Sequence, residues 1–193
     1  ITEIFSRSEF DFLIIDMEHS TINLEQSQRI IAASQSYGKP CLPRPVSHSN
    51  DYIKPLLDSG ADGLIIQMVN TPFELEQLIK YIKFPPIGDR SFGVNRAHNY
   101  GLSFNKYIKM WNKMSSLIIQ VESVKAVNNI DKLLQYEEVD GVMIGPYDIS
   151  GSLGVPGQTS HKLVIEATQK VIAACEKYDK SCGTQIEKIS NEN

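Results

Sequence analysis

Short, continuously apolar runs recur along this sequence, each separated from the next by an amphipathic stretch, and that alternation most restricts its fold. The runs are residues 11–16, 41–44, 63–69, 117–122, 141–145 and 182–186. A strand that is apolar on both sides needs cover on both faces, as in a parallel sheet clothed by helices. The intervening stretches carry helix punctuation. Residues 24–37 run into Gly38, and residues 72–83 open with Pro72 after Thr71. Residues 51–59 follow Asn50, a good capping residue, and stop at Gly60. Residues 124–136 and 163–177 complete the series. Strand-helix alternation of this kind implies βαβ units. The first nine residues read as the tail of a helix and the closing KISNEN is abrupt, so the sequence is expected to be part of a longer chain.

The 193 residues, 41% of them hydrophobic, can form one substantial core, and residues 1–193 read as a single domain. The net charge of -4 is spread without a basic block, which argues against nucleic acid. No apolar run approaches the roughly 20 residues that span a bilayer, so no membrane partner is expected. Three scattered cysteines, Cys41, Cys175 and Cys182, suit a reducing cytoplasm, and all three are expected to be small buried residues. Residues 84–114 break the rhythm. They are rich in Gly, Pro and Asn and read as a long functional or mobile loop.

Polar residues stand at the end of nearly every run. The first gives Asp16, then Glu18 and His19; the second gives Arg44; the third gives Gln67. The fourth gives Gln120 and Glu122, and the fifth gives Gly145 and then Asp148. Ligands gather at the carboxyl ends of strands in both β/α barrels and open doubly wound sheets, but polar groups at successive strand ends fit the barrel better.

Glu122 and Asp148, on neighbouring strands, are hard oxygen donors suited to Mg²⁺, Mn²⁺ or a similar ion, with water and substrate completing the shell. Arg44 offers a charged fork for a carboxylate or an oxyanion. His19 is a candidate general base, and Asp16 could fix its tautomer. Together these groups suit an α-keto acid bound on a metal and stabilised as its enolate. Plainer roles compete. Glu122 or Asp148 could cap a helix, Arg44 could be an ion-pair partner, and Asp16 could bond amides in its own turn. Glu18 reads as structural support, and His48, His98 and His161 as loop residues. Gly145-Pro146 is either a tight turn or the start of an amide concavity for a carboxylate. Arg90 and Arg96 could form salt bridges or cover the site.

Five segments, DFLIIDMEHS, LPRPVSHSNDYIKPLLDSGADGLIIQMV, FPPIGDRSFG, IIQVESVKAVNNIDKLL and VDGVMIGPYDISGSLGVPGQ, in that order, resemble the HpcH/HpaI aldolases. These are metal-dependent pyruvate aldolases, and the likeness runs over nearly the whole chain. It implies an α/β fold, a (β/α)8 TIM barrel of the phosphoenolpyruvate/pyruvate superfamily. About six units are recognisable, so the first and last units of that barrel are expected to lie outside this sequence.

The resemblance further implies that Glu122 and Asp148 bind a divalent metal (Mg²⁺, Mn²⁺ or Co²⁺) and that Gln120 lies beside pyruvate. The amides around Gly145, Pro146, Tyr147 and Asp148 would hold the pyruvate carboxylate. Arg44 would bind the keto oxygen, and His19, oriented by Asp16, would manage the proton. It also implies a homo-oligomer, commonly a hexamer built from dimers. One local departure is Ser91, where the family has glycine after the loop arginine. The expected reaction joins pyruvate to an aldehyde, or cleaves a 4-hydroxy-2-oxo acid. No lysine stands at a strand end, which disfavours an imine route. The rivals are a citramalyl- or malyl-CoA-type lyase, lacking here a clear basic site for the nucleotide, and a non-catalytic barrel that binds a small acid.

Overall fold

The computed structural model describes residues 1–186. The closing KISNEN lies outside the described residues. Chain packing divides the protein into two compact units, residues 1–67 with 73–117 and residues 68–72 with 118 onward.

The first unit begins with a five-residue helix, α1 (Thr2–Ser6), then β1 (Leu13–Asp16), α2 (Leu24–Ser36), β2 (Cys41–Arg44), α3 (Asn50–Asp58) and β3 (Gly63–Ile66). The long helix α4 (Pro72–Ile82) and α5 (Phe104–Met114) complete it. β1 and β2 are parallel, with Leu13 opposite Cys41 and Asp16 opposite Arg44. That register brings the two polar strand ends side by side. α2 starts with a reciprocal cap, in which Asn23 accepts from the Gln26 amide and Gln26 accepts from the Asn23 amide. α3 is capped by Ser49 rather than by Asn50, which is already inside the helix. The Ser49 hydroxyl takes the Asp51 amide, as a short side chain one position earlier can.

The second unit holds β4 (Ser116–Val121, from Ile118 on), α6 (Val124–Leu133), β5 (Gly141–Ile144), α7 (Pro146–Ser152), α8 (Lys162–Lys177) and β6 (Ser181–Thr184). Its strands are parallel, pairing Val121 with Ile144 and Ile144 with Thr184. α6 and α7 pack on α8. The parallel α/β class expected from the apolar runs therefore holds, and the six strands fall where those runs lie.

Residues 84–114 are not one long loop. A turn of 3-10 helix (Arg96–Gly101) and all of α5 lie within them. His98, read as a loop histidine, is buried. Its Nδ1 accepts from the Gly101 amide, and its Nε2 lies 2.6 Å from the Gly93 carbonyl and 3.3 Å from the Asn95 amide. Arg90 is a structural residue. Its guanidinium lies over the rings of Phe84, Tyr107 and Trp111 and pairs with Asp58 at 2.9 Å. Trp111 donates its Nε1–H to the Ile82 carbonyl at 2.8 Å. Arg96 donates to Gln35 and to the Ser59 carbonyl. The buried Lys83 ammonium donates to the carbonyls of Asn112 and Ser115 and to the Ser115 hydroxyl. Of the cysteines, Cys41 and Cys175 are buried, and burial pushes both thiols up to about 12. Cys182 is exposed, against expectation, because β6 is exposed along its whole length.

Candidate functional site

Two clusters of polar strand-end residues form, one in each unit, and each takes its shape from its own strands. In the first unit, the β1–β2 register sets Asp16 beside Arg44. Asp16 Oδ2 pairs with Arg44 Nη2 at 2.7 Å, and Oδ1 accepts from Arg44 Nε at 3.0 Å. This two-point pairing is the strong form of a guanidinium–carboxylate contact. Oδ1 also accepts the amides of Glu18 at 3.0 Å and His19 at 3.2 Å. The turn after β1 is thus folded around one carboxylate, as short acidic side chains at strand ends allow.

Asp16 thus meets His19 through the main chain in this structure. The turn after β1 places the His19 N–H within reach of the Asp16 carboxylate. The imidazole lies by Glu18, with Nε2 at 3.7 Å from Oε2. Glu18 Oε2 is also 3.3 Å from Arg44 Nη1. Arg44 is 8% exposed, so its charge is held between two carboxylates away from bulk water. Gln67 is buried as well. Its Nε2 donates to the Pro45 carbonyl at 2.8 Å, and its main-chain carbonyl lies 2.6 Å from His48 Nε2. These two contacts fasten the turn that follows Arg44.

Burial pushes the Asp16 carboxyl up, but the hydrogen bond and charge of Arg44, with the two amides, outweigh it and hold the group below the usual carboxylate range. The sign follows directly. A folded value below the unfolded one contributes stability above the unfolded pKa, and that stability is lost as pH falls through the folded value. Asp16 is more than a third exposed, so the contribution is small, roughly 1 kcal/mol after solvent screening. Asp16→Asn is expected to flatten the acid limb of the stability curve below about pH 4. Urea midpoints measured against pH check this; parallel curves for the two proteins would refute it.

In the second unit, Glu122 follows the end of β4 and is 6% exposed. Oε1 accepts from Gln120 Nε2 at 2.5 Å, and Oε2 accepts from the Met68 amide at 3.1 Å. Met68 presents that amide from a left-handed backbone, φ 51°, rare for a side chain of its size. No sequence signal marks it, since nothing short of glycine or asparagine announces such a conformation. Gly145 sits beside Glu122. A Cβ on Gly145 would lie 2.7 Å from Glu122 Cγ and 3.0 Å from Oε1. Glycine is required here by close approach, not by backbone angle.

Gly145-Pro146, read as either a tight turn or the start of an amide concavity, is the start of α7, with Pro146 in its first turn and no side chain capping it. The amides of Tyr147 and Asp148 fall in that turn, and Asp148 is exposed there. Asp148 is not an N-cap, and Glu122 precedes the cap of α6, which is Ser123. The capping alternatives for both acids therefore fall away. Among the described residues no three His, Cys, Asp or Glu side chains cluster as a ready-made metal cage. Two carboxylates, one anchored at both oxygens and one exposed, fit instead an ion that keeps water and ligand oxygens in its shell.

The family description HpcH/HpaI aldolase/citrate lyase matches residues 1–186. A 2-keto-3-deoxy-L-rhamnonate aldolase from Salmonella schwarzengrund is 37% identical over 177 residues, covering 91% of this chain and 64% of the relative. The chain thus spans less than two thirds of that relative's length. Among solved structures, the HpcH/HpaI aldolase of Desulfitobacterium hafniense superposes with a TM-score of 0.91 at 27% identity, over 98% of this chain and 73% of that one. The citrate synthase SbnG does so with a TM-score of 0.86 at 27% identity, over 97% and 73%.

Proposed function

The chain belongs to the HpcH/HpaI aldolase/citrate lyase family, and from that premise we propose that it serves a divalent-metal-dependent pyruvate aldolase. Such an enzyme joins pyruvate to an aldehyde, or cleaves a 4-hydroxy-2-oxo acid, through the pyruvate enolate. The observation that carries this reading is Glu122, anchored at both oxygens and packed against Gly145, the residue that joins β5 to the helix carrying Asp148. In this reading Glu122 and Asp148 hold Mg²⁺, Mn²⁺ or Co²⁺. The bound ion supplies Lewis-acid stabilisation of the enolate charge. Gln120 lies beside pyruvate, and the main-chain N–H groups of Tyr147 and Asp148, at the Gly145-Pro146 step that opens α7, hold its carboxylate. Arg44 binds the keto oxygen and shares the charge that develops there. His19 moves the proton.

No lysine stands at a strand end in the sequence, and Lys83, buried among the described residues, has its ammonium engaged with Asn112 and Ser115. Residues 1–193 form part of one catalytic barrel, acting in the cytoplasm as a dimer-based homo-oligomer, with neither nucleic acid nor membrane as partner. Among the described residues no helix is long and apolar enough to cross a membrane.

The test is deuterium exchange into the methyl group of pyruvate, followed by proton NMR, with Mn²⁺ or Mg²⁺ and with EDTA. Exchange is expected with metal and is expected to vanish with the chelator. It needs no knowledge of the aldehyde. Exchange unaffected by EDTA would overturn the metal, and no exchange under any condition would overturn the aldolase.

A further inference from the structure

We infer that Asn70 is a positioning residue for Glu122, acting through the left-handed backbone of Met68. The inference deepens the reading above, in which Glu122 binds the metal. It is confined to the second unit, which holds residues 68–72 and Glu122 alike.

A left-handed methionine needs a reason. φ at Met68 is 51°, where a side chain crowds its own main chain. Packing of that side chain does not supply the reason, since Met68 is 42% exposed. Main-chain bonding does. The Met68 N–H donates to Glu122 Oε2 at 3.1 Å, and the Met68 carbonyl accepts from Asn70 Nδ2 at 2.7 Å. Asn70 thus folds back on the residue two positions before it and closes the corner that follows β3. Glycine at position 68 would take this backbone without a brace. Methionine needs one.

Asn70 is itself fixed. Its Oδ1 accepts the Ser123 hydroxyl, and its main-chain carbonyl accepts from Asn129 Nδ2 at 2.9 Å. The Ser123 oxygen also caps α6 by accepting the Ala126 amide at 3.1 Å, which leaves its proton to donate to Asn70. Glu122 and Ser123 are consecutive, so the end of β4 grips both ends of the corner formed by residues 68–70. The chemistry of the two contacts calls for a carboxamide. A carboxylate of the same length would set a lone pair against the Met68 carbonyl, and an aliphatic side chain would meet neither partner.

The consequence falls on Glu122. Its Oε1 takes Gln120 Nε2 and its Oε2 takes the Met68 amide. Two donors of fixed direction set the plane of the carboxylate, and loss of either lets it turn. Partners that orient a metal-binding side chain are worth about ten- to a hundredfold in metal affinity. Asn70 acts at one remove, by keeping the Met68 N–H aimed at Oε2.

Mn²⁺ binding by calorimetry and amide hydrogen exchange of the metal-free protein by NMR test this without any turnover. Asn70→Ala is expected to weaken Mn²⁺ binding about tenfold and to speed exchange of the Met68 amide by about the same factor. Met68→Gly added to Asn70→Ala should bring Mn²⁺ affinity back to within about threefold of wild type, because glycine holds the left-handed backbone unaided. Met68→Val keeps Asn70 but sets a β-branched residue at positive φ. It should weaken Mn²⁺ binding as Asn70→Ala does, and it carries the test if Asn70→Ala does not fold. A purely structural role would lower the stability of Asn70→Ala and leave both readings where they are, and that result overturns the inference. So does a loss of affinity that Met68→Gly fails to restore. Wild-type protein that binds no Mn²⁺ while its Met68 amide responds to Asn70→Ala as expected overturns the metal reading and leaves the positioning standing.

Discussion

Glu122→Gln is expected to lower metal-dependent methyl exchange of pyruvate by about a thousandfold. The estimate comes from the several kcal/mol of charge stabilisation that a catalytic metal supplies, at about 1.4 kcal/mol per power of ten. The substitution is nearly isosteric and removes one negative charge from the proposed ligand pair. It also reverses one hydrogen bond. Glu122 now accepts from both Gln120 and the Met68 amide. A carboxamide can accept at one end only and presents N–H to a donor at the other. The structural cost of that mismatch is about 1–3 kcal/mol, which a folded protein can absorb. Manganese affinity by calorimetry should fall along with exchange, while the circular dichroism spectrum stays that of the wild type. Undiminished exchange would remove Glu122 from the metal site.

Gly63→Ala is expected to cost more than about 4 kcal/mol, at the exceptional end of single substitutions. Gly63 opens β3 in the first unit, where the amide of Ser116 donates to the Asp62 carbonyl at 3.1 Å. A Cβ added at Gly63 would lie 2.7 Å from Ser116 N and 2.8 Å from its carbonyl carbon, with the carbonyl oxygen closer still. These are main-chain atoms, and no side-chain rotation relieves the overlap. The neighbouring residues Leu64, Ile65 and Ile66 are all buried, so the strand has little room to shift. Guanidinium denaturation of wild type and variant checks the expectation; a midpoint shift worth less than about 1 kcal/mol would refute it.

β2 and β3 were legible because two-sided burial demands unbroken apolar runs, and these four-residue strands carry that demand in full. Strand ends were harder to place. Residues 67–69 read as β3 but leave it, because Met68 turns into a left-handed conformation that sequence does not announce. α5 was obscured by the glycines and asparagines ahead of it, although its own apolar stripe ends in the buried Trp111. The polar strand-end residues were legible as a set, since charge at the end of an apolar run needs a reason. Their pairing was not. Whether Asp16 meets His19 through the ring or the main chain depends on which amides the turn after β1 offers it. That is a property of backbone geometry, and residue types leave it open.

The aromatic box around Arg90 gives the protein a built-in optical gauge. Trp111 is the single tryptophan of the chain, it is buried, and it belongs to the first unit. Its emission therefore registers the opening of that unit alone, whereas far-ultraviolet ellipticity registers helices in both. Melting curves from the two signals that coincide would mean that the units unfold as one cooperative body. Curves that part would count two separate transitions, and the difference between them would tell which catalytic cluster lets go first.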